Sequence, residues 1–266
     1  GFNAVDIGAL RAFFSAVMLG IFLLVKDKRL FKIAIIDMWM FFGTGFISMA
    51  MFSFCYFTVI NKSDASIAVV LLYTSPIWVM LFSALVFKEK ITVSKTVALV
   101  MTFAGCFLVA GIIGNRAISS GLFIIGICSG IGYALYSIFG RFALVKYHTF
   151  TVTFYTFVFA SIGFVMMAGP VKLSEKVYEN INSFTYIIGV AFIRTVLPSI
   201  FYTKGLEGLE SGKAAIYVTT EPLTATVVSV LLFQENRSIS KIIGILLILS
   251  SVIVLSIPAV KHDIQD

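Results

Sequence analysis

Charge, cysteine and histidine are scarce in this chain, and each scarcity removes a class of function. Asp, Glu, Lys and Arg make up 12% of the residues. The three cysteines, Cys55, Cys106 and Cys128, fall within apolar runs, and no two have the spacing of metal ligands. Neither a disulfide nor a metal site is expected. The two histidines, His148 and His262, fall in a loop and in the tail. No glycine-rich phosphate-binding loop occurs, so no intrinsic ATPase is expected. The chain also lacks a TVGYG-like filter and a ring of acidic residues, which argues against a selective ion channel. HExxH, a nucleophile elbow and paired catalytic carboxylates are missing from the apolar segments, so no enzyme active site and no cofactor is expected. No stretch of the given residues reads as a signal peptide with a cleavage site.

What the chain has in abundance is apolar length. Hydrophobic residues make up 59% of its 266 residues, and the mean hydropathy is +1.03, far above a soluble domain of this size. Runs of ~20 apolar residues, enough to cross a ~30 Å hydrocarbon core, recur along its length. They predict helical spans near 7–25, 34–58, 65–87, 96–113, 121–140, 150–169, 185–204, 214–233 and 242–260. Strands of a membrane barrel would be half as long and would alternate polar with apolar residues, which these runs do not. A net charge of +7 would point to nucleic acid in a soluble protein. Here it reads as cationic loops against anionic headgroups, so the expected partner is the lipid bilayer and not nucleic acid.

The second half of the chain repeats the first. A shift of 146 brings Phe46-Ile47-Ser48 onto Phe192-Ile193-Arg194 and Tyr56 onto Tyr202. The same shift brings Thr74-Ser75-Pro76 onto Thr220-Glu221-Pro222, Phe87-Lys88-Glu89 onto Phe233-Gln234-Glu235, and Ser94-Lys95 onto Ser240-Lys241. Internal duplication in a polytopic chain marks secondary transporters, whose halves form a site between them. The repeats are read as 1–114 and 115–266. The second opens near Ser120, so its counterpart would open about 26 residues before Gly1, and the first half is expected to lack a helix. The expected parent has ten helices, five per half. An odd number per repeat requires the halves to be inverted.

Loop charge gives the orientation. One set of alternate loops contains Lys26, Lys28, Arg29, Lys32, Lys88, Lys90, Lys95, Arg141, Lys146, Lys204, Lys213 and Lys261. The other contains half as many: Lys62, Arg116, Lys172, Lys176, Arg237 and Lys241. The richer set is expected in the cytoplasm, with the C terminus.

Several of these residues carry a family likeness. In the first half they are Ala9-Leu10-Arg11, Tyr73-Thr74-Ser75-Pro76 and Phe87-Lys88-Glu89-Lys90-Ile91-Thr92. In the second they are Gly132-Tyr133-Ala134-Leu135-Tyr136-Ser137, Ala214-Ala215-Ile216, Glu221-Pro222 and Phe233-Gln234-Glu235. Each half resembles an EamA domain of the drug/metabolite transporter superfamily. The resemblance implies an all-α, ten-helix carrier of the bacterial inner membrane, with a central cavity and nine of the ten spans present here. It also implies transport of amino acids, other small metabolites or drugs, often outward.

Arg194 is the sharpest candidate for a binding role. It lies about ten residues from either end of its span, where an unpaired cation costs ~2.5–3.5 kcal/mol or more. Its counterpart is Ser48, so the charge departs from the duplicated template. Glu221 is a second departure, from Ser75, and is the expected partner of Arg194. A zwitterionic solute could bridge the two. Glu221 could instead couple transport to protons, and the pair could be a structural salt bridge. Pro76 and Pro222 occupy equivalent places inside helices and are candidate hinges, or static kinks. Tyr73, Tyr136, Tyr202 and Tyr217, with Ser48 and Ser75, are candidate pocket walls, and Tyr217, Glu221 and Thr224 are read as one helix face. Tyr56 and Tyr133 are weaker candidates. Arg11 and Asp37 are weaker candidates: Arg11 can snorkel to the outer headgroups, its Ala-Leu-Arg motif suggests helix packing or an external gate, and Asp37 lies at the cytoplasmic interface near basic loops. Gly126 and Gly130 form a GxxxG pair for close helix approach, within the chain or in a homodimer. The sequence therefore points to a secondary exporter of small organic metabolites, amino acids first. A drug or cation exporter of the same fold and a non-transporting membrane scaffold or enzyme-complex subunit are the alternatives.

Overall fold

The computed structural model describes residues 2–63, 65–110, 119–179, 184–221, 224 and 239–256. Every regular element among the described residues is helical. In chain order they are α1 (Ala4–Lys26), α2 (Met38–Phe42), a π-helical segment (Gly43–Ala50), α3 (Met51–Lys62), α4 (Ala65–Leu72), α5 (Ser75–Phe87) and α6 (Val93–Ala110). Then follow α7 (Ser120–Leu144), α8 (Thr149–Ala168), α9 (Pro170–Glu179), α10 (Phe184–Ala191), a second π segment (Phe192–Val196), α11 (Leu197–Gly208), α12 (Ser211–Val218) and α13 (Ile239–Ser256). The protein is an all-α polytopic membrane protein. Among the described residues, six stretches are long and apolar enough to cross a bilayer: Ala4–Lys26, Ile35–Lys62, Ile67–Phe87, Ser120–Leu144, Thr149–Ala168 and Tyr186–Gly208. Val93–Leu108 and Ile242–Leu255 are shorter apolar helices. Of the expected span 214–233 only the beginning is described, and Pro222 lies outside the described residues.

Local chemistry sets the helix ends. Asn3 and Asp6 form a reciprocal capping box on α1, with Asp6 N donating to Asn3 Oδ1 at 2.8 Å and Asn3 N donating to Asp6 Oδ2 at 2.9 Å. Gly169, at φ +81°, ends α8 in a conformation that favours glycine. The helix α9 that follows lies where the sequence reading placed only a loop. Its Leu173 is buried against the α1–α8 cluster, and its Lys176 pairs with the buried Asp6 at 2.5 Å. Asp37 is held by Lys146 Nζ and by the Tyr147 hydroxyl, both at 2.8 Å, beside the basic loops.

The helix bounds follow the 146-residue offset. Shifted by it, α4 falls on α12 and α6 falls on α13, while Gly43–Ala50 overlaps the second π segment. The two most extensive helix contacts, α1 with α8 and α6 with α13, each join a helix to its own counterpart. Both pairs run antiparallel. Phe22 meets Phe150 near one end of the first pair, where ring centroids lie 4.9 Å apart, and Gly8 meets Phe164 near the other. In the second pair Thr102 Oγ1 donates to Ser251 Oγ at 2.8 Å, and Gly105 meets Ile248 one turn on. Self-contact of equivalent elements is what a two-fold relation produces, and the antiparallel sense makes the halves inverted repeats.

Packing is that of a membrane bundle. Large apolar side chains such as Val25, Leu85 and Phe201 face outward, while hydroxyls are buried between helices. Thr44 and Thr156 share a hydrogen bond of 2.7 Å, for example. Gly126 and Gly130 lie against Leu71 of α4, so the GxxxG pair serves close approach within the chain.

Candidate functional site

A cavity of about 720 Å³ opens between the halves. Both spans that carry a π segment supply its walls. In the second half Arg194, Pro198 and Tyr202 follow one another at i, i+4 and i+8, and all three line it, with Ile193, Thr195 and Ser199 beside them. Pro198 has no N–H to offer the carbonyl of Arg194, four residues earlier, and the chain widens into the π segment at that point. In the first half Ser48, Met49 and Phe52 occupy the equivalent stripe. Widened turns of this kind are often found at functional sites because they break the regular ladder and re-aim side chains. The helix α7 contributes Tyr133 and Tyr136, the helix α1 contributes Arg11, and Val218 and Glu221 complete the wall at the break after α12.

The two helix breaks are built alike. At the first, α4 ends at Leu72 and α5 starts at Ser75, with Pro76 in its first turn, where a missing N–H costs nothing. Thr74 Oγ1 donates to the Leu71 carbonyl at 2.7 Å, and its counterpart Thr220 Oγ1 donates to the Tyr217 carbonyl at 2.8 Å. The sequence is thus a discontinuous helix in each half, with Pro76 starting a new segment instead of kinking a continuous one.

The charges in the cavity are segregated. Arg194 and Glu221 both line it, but no ion pair joins them among the described residues. Arg194 stands instead within electrostatic reach of Arg11, whose Nε donates to Thr195 Oγ1 at 2.9 Å. Glu221 stands within reach of the hydroxyls of Tyr56, Tyr73 and Tyr133. One part of the wall is therefore cationic, and another is acidic and phenolic.

Of the residues expected from sequence, Arg194, Glu221, Tyr136, Tyr202 and Ser48 line the cavity. Their polar atoms are partly committed. Tyr136 and Thr203 share a hydrogen bond of 2.8 Å, Tyr202 and Ser137 one of 2.6 Å, and Ser48 Oγ donates to the Gly132 carbonyl at 2.7 Å. Tyr73, Ser75 and Tyr217 do not line it. Tyr217 packs instead against the cluster of Met80, Ala98, Leu99, Ile216 and Leu255. Thr219, at φ −69° and ψ 1°, ends α12 between Tyr217 and Glu221. Sequence reasoning missed Phe52, Thr195 and Ser199, and ranked Arg11 only as a weaker candidate for packing or an external gate. A signal was available: under the same offset Arg11 falls on Phe157, a fully buried core side chain, so Arg11 too departs from the duplicated template.

An ionic cluster lies at the end of the bundle that carries the richer basic loops. The buried Glu89 carboxylate pairs with Arg141 of α7 and accepts from Ser211 N at 3.0 Å and Gly212 N at 3.4 Å at the start of α12. Lys95, itself buried, pairs with Glu210 at 3.0 Å. Burial pushes the Glu210 carboxyl up, but the hydrogen bond and charge of Lys95, with Lys213, hold it below the usual carboxylate range. The cluster ties residues of the first half to α7 and α12 of the second.

Comparison with known proteins places this architecture. The model of the EamA-like transporter family matches residues 1–111 and 120–257, one stretch in each half. The chain belongs to that family. An uncharacterized transporter of Archaeoglobus fulgidus is 26% identical over 212 residues, covering 78% of this chain and 74% of the relative. The uncharacterized inner membrane transporter YicL of Salmonella typhimurium is 28% identical over 209 residues, covering 76% of this chain and 67% of the relative. A crystal structure superposes with a TM-score of 0.78 at 14% identity, over 96% of this chain and 88% of the other, a likeness of fold alone. This EamA-like protein is a membrane transporter whose cavity sits between two inverted halves.

Proposed function

We propose that the protein is a secondary exporter of small organic metabolites, amino acids foremost, in the bacterial inner membrane. The observation that carries the reading is a cavity between inverted halves whose wall holds Arg194 and Glu221 apart, unpaired with each other. A zwitterion complements the two opposite charges, its carboxylate toward Arg194 and its ammonium toward Glu221 and the tyrosines. Charged groups in membrane spans are costly unless function or pairing retains them. The basic loops orient the chain with its C terminus in the cytoplasm. In the mechanism, solute enters from the cytoplasm, the halves rock about the broken helices, and the site opens outward. The Glu89–Arg141 and Lys95–Glu210 contacts close the cytoplasmic end when the other end is open. Glu221 is the candidate proton carrier if the proton gradient drives the cycle.

Counterflow in proteoliposomes tests this reading. Vesicles loaded with pooled amino acids should take up labelled amino acid through the parent protein and lose that uptake with Arg194→Ala. Equal flux through a folded Arg194→Ala protein removes the charge assignment, and no exchange with any amino acid removes the metabolite reading. The two arginines against one glutamate weigh against the cation-exporter alternative, because their excess positive charge repels a cation.

A further inference from the structure

Among the described residues the cavity holds one more cation than a neutral zwitterion needs. Arg11 and Arg194 stand within electrostatic reach of each other, and no carboxylate lies within ion-pair distance of either among the described residues. Two guanidinium groups remain charged at any physiological pH, so the repulsion between them is permanent unless an anion enters. The cavity also bears Glu221, beside tyrosines and not beside the arginines. Among the described residues its charged wall thus reads two positive and one negative.

Arg11 is built to face a ligand and not the headgroups. Its Nε donates to Thr195 Oγ1 at 2.9 Å, and Thr195 is buried. That bond fixes the guanidinium plane and leaves the four terminal N–H groups without a described partner, in the fork that matches a carboxylate. The neighbours Ala9 and Leu10 are buried in the α1–α8 core, so the helix cannot roll to carry Arg11 out to lipid. Thr195 belongs to the widened turn that also presents Arg194. One local feature therefore positions both cations on the same cavity.

We infer that the site is specific for a solute with two acid groups and one ammonium group, the charge pattern of an acidic amino acid, with Arg11 reading the second acid group. This rests on the transporter reading above and narrows its substrate class. A neutral amino acid leaves one arginine uncompensated. A dicarboxylate without an amine satisfies both arginines and leaves Glu221 to repel it. An acidic amino acid complements all three charges.

The test is counterflow through the protein in proteoliposomes with labelled aspartate, glutamate, alanine, leucine and succinate. The parent should exchange the acidic amino acids at least about tenfold faster than the neutral ones, the scale of one charge-assisted hydrogen-bonded contact. Arg11→Gln should lower the acidic-to-neutral ratio at least about tenfold. Arg11→Lys, which keeps the charge without the fork, should recover part of that ratio, and Thr195→Val should raise KM for the acidic substrates more than it lowers the maximal rate. Glu221→Gln should improve succinate relative to aspartate. Faster exchange of neutral amino acids by the parent, or an unchanged ratio in a monodisperse Arg11→Gln protein, overturns this inference and leaves the carrier reading standing. No exchange of any amino acid overturns both.

Discussion

Removing the Glu89 carboxylate should cost this protein more stability than any exposed charge. The Glu89 side chain is 6% exposed and the Arg141 side chain 29%. Glu89→Ala deletes that ion pair and the two hydrogen bonds that the carboxylate accepts from Ser211 N and Gly212 N. Breaking a buried pair from one side costs ~3–5 kcal/mol, because the remaining charge is left unpaired. Arg141 is reached by water and keeps a 3.2 Å hydrogen bond to Ser211 Oγ, so the lower end of the range applies, about 3 kcal/mol. At ~2–4 °C per kcal/mol for a chain of this order of size, the melting midpoint should fall by roughly 6–12 °C. The assay is thermal unfolding in detergent at one scan rate, because unfolding of such a protein need not be reversible. Lys204→Ala is the control. Its partner Glu207 is 41% exposed and Lys204 is 63% exposed, so the midpoint should move by about 2 °C or less. A Glu89→Ala protein that melts within about 2 °C of the parent would refute the reasoning.

Two further outcomes follow from packing and charge. A Cβ on Gly45 would press on the Thr156 carbonyl and come within 2.7 Å of Phe159 Cβ and 2.8 Å of Ala160 N, so α8 would have to shift. Gly45→Val should therefore destabilise by ~1–3 kcal/mol in the same melting assay, whereas Gly189→Ala, in open space, should be neutral or mildly stabilising; equal midpoints for the two would contradict the close approach. Glu210 has a folded-state pKa below its unfolded value, so its contribution is present above pH 4.5 and is lost as pH falls through the lower folded value. The midpoint of the parent should drop in that acid range more steeply than that of Glu210→Gln, and parallel curves would count against the Lys95–Glu210 assignment.

The all-α polytopic fold and the spans that fall within the described residues were legible in the sequence, because they rest on long apolar runs, and the described helix bounds follow the register of the duplication. The helices α6 and α13 keep the same bounds under the offset although they are the shorter apolar ones. The helix α9 was not legible: its mixed polar composition reads as a loop, and what orders it is burial of Leu173 in the α1–α8 cluster and the ion pair of Lys176 with Asp6. Depth along a span could be counted, which singled out Arg194, but facing could not be counted across a helix break. Tyr217 and Glu221 share a face only if the helix continues, and Thr219 interrupts it. Arg11 sits one turn inside its span, where a long side chain can reach the headgroups as easily as the interior. Only the contact with Thr195, 184 residues away in sequence, decides between the two.

The most direct measurement is of whether solute occupies the cavity. Ser199 lines it between Arg194 and Tyr202, and Cys55, Cys106 and Cys128 can be replaced by alanine beforehand. In that background Ser199→Cys should react with a small thiol reagent, and the solute that the protein exchanges should slow the reaction in proportion to its occupancy. Labelling at one rate with and without solute, in protein that still exchanges it, would contradict a transport site between the halves.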